Sequence, residues 1–254
     1  MEFRLLGPPE VRGVAGREWF RGHRQRAVFA TLALSANRVV VVDRLVDVVW
    51  SDRPPPTAQA QIQKTVSALR QLLDSPAAGG ERINTVSSGY MLYAEPGEID
   101  VGLFEQGVQQ ASSAVAAGNL LEATTCFRGA LARWFGRAID GVPGLVAEAT
   151  HLEEQRLVAL EKCAHIELML GRHAEVATEL ERLVTAHPLR ERLRVLQMIA
   201  LYGCGRRAEA LQVFHNARLL LKEDLGIDPG PQLRDVEHAI LTEVPVAQVL
   251  PAPC

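Results

Sequence analysis

The side chains best suited to specific chemistry lie on one face of a segment that is predicted to be helical from Thr57 to Leu73. Apolar residues recur there at helical spacing and mark a buried stripe: Ile62, Val66, Leu69 and Leu73. The opposite face carries small and polar residues without a carboxylate: Thr57, Gln61, Lys64, Ser67, Ala68 and Gln71. Glutamine and lysine side chains can hydrogen-bond to base edges in the major groove of DNA. A solvated helix face uses the same residue types, so this helix alone leaves both interpretations open.

A helix that reads DNA needs a scaffold, and the first hundred residues predict one. Extended segments are predicted at Phe3–Leu6, Glu10–Val14 and Glu18–Phe20, and β-branched residues occupy positions 39–42. Helices are predicted at Arg24–Leu34, at Arg44–Trp50 with Asp43 as its N-cap, and at Thr57–Leu73. A β-hairpin of Arg82–Val86 and Tyr90–Tyr93 follows. This order is typical of a winged helix-turn-helix, whose third helix enters the major groove.

Basic and hydroxyl side chains around this scaffold are candidates for phosphate contacts, which position a protein on DNA without reading its sequence. Arg70 lies on the third helix, and the others flank it: Arg24, Arg44, Arg82, Ser87 and Ser88. Residues 1–96 carry 12 Lys and Arg against 9 Asp and Glu, whereas residues 97–254 carry 15 against 21. A basic front and an acidic back indicate different partners for the two parts.

The remainder of the chain is predicted to be almost wholly helical. Similar segments begin at Gly118, Gly171 and Gly205, and the last two glycines are 34 residues apart, the period of tetratricopeptide repeats. A last helix is predicted at Pro231–Leu241. The sequence thus predicts a mainly α protein, with a winged helix-turn-helix domain (1–96), an all-helical tetratricopeptide-like domain (97–244) and a flexible tail (245–254).

No catalytic, phosphate-binding or metal-binding motif is present in the sequence. Four cysteines lie far apart without a CxxC pair, and His165 is expected to pack in the interior rather than bind a ligand. The glutamates at 153, 154, 175, 179 and 181 are expected on solvated helix faces. We therefore expect no enzymatic activity, no cofactor and no metal. No apolar run approaches the roughly 18 residues of a membrane span, and we expect a cytoplasmic, nucleoid-associated protein.

Two functions from different classes remain open on the residues alone. The first is sequence-specific DNA binding by a transcription regulator. The second is a protein–protein adaptor, in which the helical repeats hold one partner and the winged helix holds another. Salt dependence separates them, because each neutralised phosphate releases counterions from DNA.

The sequence resembles the Streptomyces antibiotic regulatory protein (SARP) family of transcriptional activators over about residues 2–241. Matching segments in the front half are Phe3–Pro8, Ala36–Val40, Val42–Trp50, Pro54–Pro56 and Ser88–Tyr90. Matching segments in the back half are Gly171–Glu175, His187–Leu193, Tyr202, Gly205–Leu211 and Leu225–Pro231. So many matches in one order make a chance resemblance implausible.

The resemblance implies an OmpR-type winged helix followed by a bacterial transcriptional activation domain. It also implies that two copies bind direct repeats in promoter DNA and recruit RNA polymerase holoenzyme with its principal sigma factor. The loop from Trp50 to Pro56 would touch polymerase through Trp50, Ser51, Asp52, Arg53, Pro54 and Pro55. The regulated genes would direct the biosynthesis of an antibiotic-like secondary metabolite.

Two departures from the family pattern concern the DNA-binding surface. Relatives usually carry arginine at the position of Ala68 and a basic residue near Val86. Both are missing here, so the resemblance implies weaker or differently tuned contacts at these two positions.

Overall fold

The computed structural model describes residues 1–13, the backbone of 16–18, and residues 20–73 and 81–250. The strands are β1 Glu2–Arg4, β2 Glu10–Gly13, β3 Gly16–Glu18, β4 Val40–Val41, β5 Ile83–Val86 and β6 Gly89–Leu92. The helices of the front half are α1 His23–Leu34, α2 Val42–Trp50 and α3 Ala58–Leu73. The later helices are α4 Asp100–Ala116, α5 Leu120–Leu131, α6 Val146–Met169, α7 His173–Ala186, α8 Glu191–Gly203, α9 Arg207–Leu225, α10 Pro231–Leu241 and α11 Val246–Val249.

The chain forms two compact units. Unit 1 comprises Met1–Gly107 and Gly129–Arg156, and unit 2 comprises Val108–Arg128 and the chain from Leu157 onward. The mainly α fold with an N-terminal winged helix is confirmed. The domain limits predicted at residues 96 and 244 follow the order of the sequence, whereas the two units are defined by contacts between residues. These limits therefore stay a prediction.

Unit 1 contains two three-stranded antiparallel sheets. The first has the order β1-β2-β3 and the second the order β4-β6-β5. In the second sheet, Val40 pairs with Tyr90 on one side of β6, and Thr85 pairs with Tyr90 on the other. The hairpin β5–β6 is therefore held to the segment that precedes α2, which fixes the wing to the helix-turn-helix.

The core of unit 1 lies between α1, α2, α3 and the strands. Phe29, Leu45 and Leu69, from the three helices, are fully buried, and Phe29 meets the Phe3 ring edge-on at 5.7 Å between centroids. Burying a side chain of this size stabilises the fold by about 1.5–3 kcal/mol. The apolar stripe of α3 is buried as its periodicity predicts, so its polar face points away from the core.

Asp100 joins the N-terminal strand segment to the start of α4. Its carboxylate accepts hydrogen bonds from the Leu5 N–H at 2.8 and 2.9 Å and from the Leu6 N–H at 2.9 Å. Burial raises the pKa of Asp100 from 3.8 to about 6, although these N–H groups and Arg4 lower it. A carboxylate in this position satisfies two backbone donors that burial would otherwise leave unpaired.

Unit 2 repeats one backbone motif at the three glycines that the sequence singled out. Gly118, Gly171 and Gly205 all have φ between +75° and +79°. After each glycine, the next residue donates a backbone hydrogen bond five positions back: Asn119 to Ala114, Arg172 to Glu167 and Arg206 to Leu201. This pattern is a Schellman helix end, which requires a left-handed residue that glycine adopts without steric cost. The repeated glycines thus end α4, α6 and α8 in the same way.

Several element limits differ from the sequence-based expectations. The N-cap of α2 is Val41 rather than Asp43, and Asp43 lies in the first helical turn, where its charge favours the helix dipole. The third strand is Gly16–Glu18 rather than Glu18–Phe20. Within the predicted flexible tail, α11 forms, and Val246 and Val249 pack on the unit 2 core, while the flexibility itself stays a prediction. Residues 251–254 lie outside the described part of the chain.

Candidate nucleic-acid interface

The polar face of α3 forms the centre of the candidate interface. Lys64, Ser67 and Gln71 are exposed, while Gln61 and Ala68 are half-buried. Lys64 forms no ion pair or hydrogen bond with any described residue, so its ammonium group is available to an external acceptor. Its neighbours offer hydrogen-bond donors and acceptors without a negative charge, which suits contact with nucleic acid.

Sequence reasoning missed two further polar residues on α3. Gln59 and Gln63 are exposed as well, and they lie one turn apart along the helix. Their spacing from Ser67 continues the same four-residue interval. Extending the helical projection to every glutamine of the segment would have identified them.

Arg24, Gln61 and Thr57 form one hydrogen-bonded group at the start of α3. Arg24 on α1 donates to the Gln61 side-chain oxygen, and the Gln61 amide donates to the Thr57 hydroxyl at 2.9 Å. The Arg24 guanidinium also lies 5.9 Å from the centre of the Trp50 ring. Three predicted site residues are therefore brought together, and Arg24 adds a positive charge beside the helix.

Arg70, which was predicted to contact the DNA backbone, has hydrogen-bond partners within the protein. Its Nε donates to the Ile83 carbonyl and its Nη2 donates to the Thr85 hydroxyl, both at 2.8 Å. The side chain therefore ties α3 to β5. Arg70 thus acts as a positioning residue that holds the wing against the helix, and its contact to the DNA backbone stays a prediction.

Arg82 also has a partner within the protein, and unlike Arg70 it is buried. Its side chain is buried, and its guanidinium makes a bidentate pair with Glu98 at 2.8 and 2.9 Å. Burial raises the pKa of Glu98, but the Glu95 N–H and the Arg82 guanidinium outweigh burial and hold it below its usual value. Because Arg82 is committed to this carboxylate, we withdraw it from the candidate phosphate contacts.

The tip of the wing presents two hydroxyl groups. Ser87 and Ser88 are exposed in the turn between β5 and β6, and Ser87 adopts a positive φ of 42°. Gly89 follows because a Cβ there would lie 2.1 Å from the Val40 carbonyl oxygen. The tight approach of β4 and β6 thus requires glycine, and it fixes the direction in which the wing turn projects. Val86 is half-buried and offers no charge.

Arg44 lies in α2, where its Nη2 contacts the Glu148 carboxylate at 2.7 Å. The Arg44 side chain is nearly half exposed, and exposed pairs of this kind contribute only about 0–1 kcal/mol. A phosphate can therefore compete with Glu148 for this guanidinium. Its role as a phosphate contact stays a prediction.

The loop between α2 and α3 is exposed and held at both ends. Ser51, Asp52, Arg53 and Pro54 are exposed, and Trp50 and Pro55 are half-buried. Ser51 closes α2 with a positive φ of 51°, and its N–H donates to the Asp47 carbonyl at 2.7 Å. At the other end, the Ala58 N–H donates to the Pro55 carbonyl at 2.9 Å. The loop therefore presents its side chains in a defined arrangement.

Of the five glutamates expected on solvated helix faces, Glu154, Glu175 and Glu181 are exposed, whereas the other two are half-buried and have internal partners. Glu179 accepts two hydrogen bonds from Arg128, and Glu153 accepts one from the Ala138 N–H at 2.7 Å. His165 packs in the interior as predicted, since only 3% of it is exposed. No group of three potential metal ligands occurs among the described residues. In the same part of the chain, no helix has both the length and the apolar character of a membrane span.

Comparison with known proteins supports both halves of this description. The bacterial transcriptional activator domain family matches residues 99–241, and the family of C-terminal domains of transcriptional regulatory proteins matches residues 16–92. Regulatory protein AfsR of Streptomyces griseus is 39% identical over 245 residues, covering 95% of this chain and 24% of AfsR. Regulatory protein DnrI of Streptomyces peucetius is 33% identical over 254 residues, covering 96% of this chain and 93% of DnrI.

A solved structure of Mycobacterium tuberculosis EmbR, in complex with a low affinity phosphopeptide, matches with a TM-score of 0.90. The two proteins are 33% identical, and the match covers 97% of this chain and 67% of that chain. This chain spans only about a quarter of the length of AfsR.

A winged helix followed by a bacterial transcriptional activator domain defines a class of transcriptional regulators. Within that class, the chain belongs to the SARP family of transcriptional activators. The resemblance drawn from the sequence is thereby confirmed.

Proposed function

We propose that the chain is a sequence-specific activator that inserts α3 into the major groove of promoter DNA. The observation that carries this proposal is the exposed face of α3, which is polar, free of carboxylates and rigidly supported by a buried apolar stripe. Lys64, Ser67 and Gln71 would contact base edges, with Gln61 and Thr57 at the start of the helix.

Contacts to phosphates would position this helix. Arg24 stands beside the start of α3, and Ser87 and Ser88 project from the wing turn. Arg44 would join them by exchanging its exposed pair with Glu148 for a phosphate. Together these groups supply positive charge and hydrogen-bond donors on the helix-turn-helix and on the wing.

Activation would follow from two copies on direct repeats that recruit RNA polymerase holoenzyme with its principal sigma factor. The exposed loop from Trp50 to Pro56 supports this role, because it offers charged and apolar groups that no described interior contact consumes. Genes for secondary-metabolite biosynthesis are the proposed targets, and the proposed place of action is the nucleoid in the cytoplasm. The proposed activity requires no enzymatic step, cofactor or metal.

The DNA-binding part is tested by enrichment sequencing of a random duplex pool on the purified chain at two salt concentrations. Recovery of spaced direct repeats would support the proposal and identify the operator. Retention should fall steeply with salt if several phosphates are neutralised. Absence of retention at either salt would refute direct DNA binding and favour the adaptor interpretation.

The activation part is tested with Asp52→Ala and Arg53→Ala in transcription assays with purified holoenzyme on the recovered operator. Both variants should bind DNA as the unmodified chain does and should activate poorly. Asp43→Ala is a matched control, because Asp43 is an exposed acid on α2 outside the loop. Full activation by both loop variants would refute polymerase contact through this loop.

A further inference from the structure

Unit 2 contains a cavity of about 680 Å³ that the DNA-binding surface does not involve. Its wall is largely apolar and includes Val115, Phe127, Val158 and Ile166. The polar groups that line it include two cations, Lys162 and Arg192. Mostly apolar cavities of roughly 300–1,000 Å³ with a few polar groups are characteristic of small-molecule sites.

The two cations of this cavity have no carboxylate partner among the described residues. Lys162 forms no hydrogen bond or ion pair there, and α6 places no acidic residue three or four positions away from it. Arg192 contacts only uncharged acceptors, the His165 Nδ1 at 3.3 Å and the Gln232 side-chain oxygen at 3.5 Å. Both positive charges are therefore left without an internal counterion beside an apolar wall.

Neighbouring groups orient these charges without neutralising them. Glu161 also lines the cavity, but its carboxylate is bound by Arg190 at 2.8 and 3.3 Å. Because arginine can only donate, the His165 Nδ1 accepts the hydrogen bond from Arg192. His165 therefore holds Arg192 at the cavity without supplying a negative charge.

We propose that this cavity binds a small amphipathic monocarboxylate. The carboxylate would pair with Arg192 and Lys162, and the hydrocarbon or aromatic body would lie against Phe127, Val158 and Ile166. A planar guanidinium favours bidentate pairing with a carboxylate, and the pair gains strength where apolar groups exclude water. The activation domain would then respond to a metabolite independently of the DNA-binding surface.

Isothermal titration calorimetry of the full chain with 4-phenylbutyrate and with decanoate tests the site. One carboxylate per chain should bind, and 4-phenylbutylamine should not, because its ammonium would face two cations. Arg192→Met should weaken carboxylate binding about tenfold, as expected when a charged hydrogen bond is lost. Ala116→Trp adds bulk at an exposed position of the lining and should abolish binding without burying a new group.

Arg218→Met serves as the matched control, since Arg218 is exposed on α9 and does not line the cavity. Thermal melts of every variant establish that each one is folded before its affinity is compared. Equal binding of the amine, an unchanged affinity in Arg192→Met, or failure of both carboxylates to bind would each overturn the proposal.

Discussion

The polar face of α3 in unit 1 and the charged interior of unit 2 use basic side chains in opposite ways. Lys64 on α3 stands exposed without an ion pair to any described residue. Arg128 in unit 2 donates to both Glu167 and Glu179, and the side chain of Glu167 is only 6% exposed. These two carboxylates raise the pKa of Arg128 well above its usual range. A basic residue that faces a carboxylate therefore stabilises the fold, whereas one that faces no carboxylate is available for binding.

The same distinction divides the basic residues within unit 1. Arg82 faces Glu98 in the interior and contributes to cohesion, whereas Arg24 faces the neutral amide of Gln61 at the surface. Counting positive charges along the chain treats these two arginines alike. Their partners distinguish them. Removing one member of a buried ion pair lowers the free energy of unfolding by several kcal/mol, whereas removing an exposed charged group lowers it little.

The largest expected effect comes from Asp100, a buried acid of unit 1 whose charged form is disfavoured by burial. The pKa of Asp100 is raised from 3.8 to about 6, so the stability it contributes is fully present below pH 3.8 and is lost as pH rises through 6. The stability difference between the unmodified chain and Asp100→Asn should shrink by about 2.4 kcal/mol from pH 4 to pH 7. Urea unfolding at both pH values measures it. A difference that grows with pH would contradict the assignment.

Removing the central cation of unit 2 should have the next largest effect. Arg128→Met leaves the Glu167 carboxylate buried with only the longer contact to Arg172 at 3.5 Å. We expect a loss of about 2 kcal/mol in the free energy of unfolding, less than for a fully buried pair because the Arg128 side chain is 41% exposed. Operator affinity of the folded variant should be unchanged. Arg218→Met is the control, and an equal loss there would remove the contrast between interior and surface cations.

Lys64→Ala should have the opposite outcome, with weaker operator binding and unchanged stability. We expect about tenfold weaker operator binding, or about 1.4 kcal/mol, because an exposed lysine beside the groove loses its contact to a base edge or a phosphate. The melting temperature should stay the same, since Lys64 has no partner to lose among the residues that the structure describes. Fluorescence anisotropy with the operator duplex measures the affinity, and Lys222→Ala on α9 is the matched control. A large drop in melting temperature would show that Lys64 is structural.

The smallest expected effect lies at the wing. Ser88→Ala removes one neutral hydroxyl from the exposed turn, so operator affinity should fall about two- to threefold. The fall should be similar for specific and random duplexes, because a phosphate contact carries no sequence information. A fall confined to the operator would instead assign base reading to the wing.

Elements with strong local signals could be predicted from the sequence. The periodic apolar stripe of α3 identified its buried face, and the turn residues around Pro231 placed α10 at its observed limits. The three glycines marked the repeated segments, and in the structure each one ends a helix in left-handed backbone, which is a local requirement. Such signals depend on residues within one or two turns of each other.

Partners that are distant along the chain could not be predicted in this way. Arg82 meets Glu98 across 16 positions, and Arg128 meets Glu167 across 39. Arg70 donates to a backbone carbonyl. Because every residue has such a carbonyl, the sequence does not indicate which one will be the partner. The residue type indicates that a guanidinium needs hydrogen-bond acceptors. Only the packing of the folded chain determines whether those acceptors lie inside the protein.

The hydrogen bonds from Arg70 to β5 show that the residues that hold α3 in place differ from those proposed to contact DNA. Arg70 and the buried stripe hold α3, while Lys64, Ser67 and Gln71 are exposed and have no side-chain hydrogen bond or ion pair to any described residue. Substitutions at those three positions therefore leave the helix and the wing in register with each other. If α3 binds DNA as proposed, substitutions at a few exposed positions can change the DNA sequence that the chain recognises while its fold stays the same.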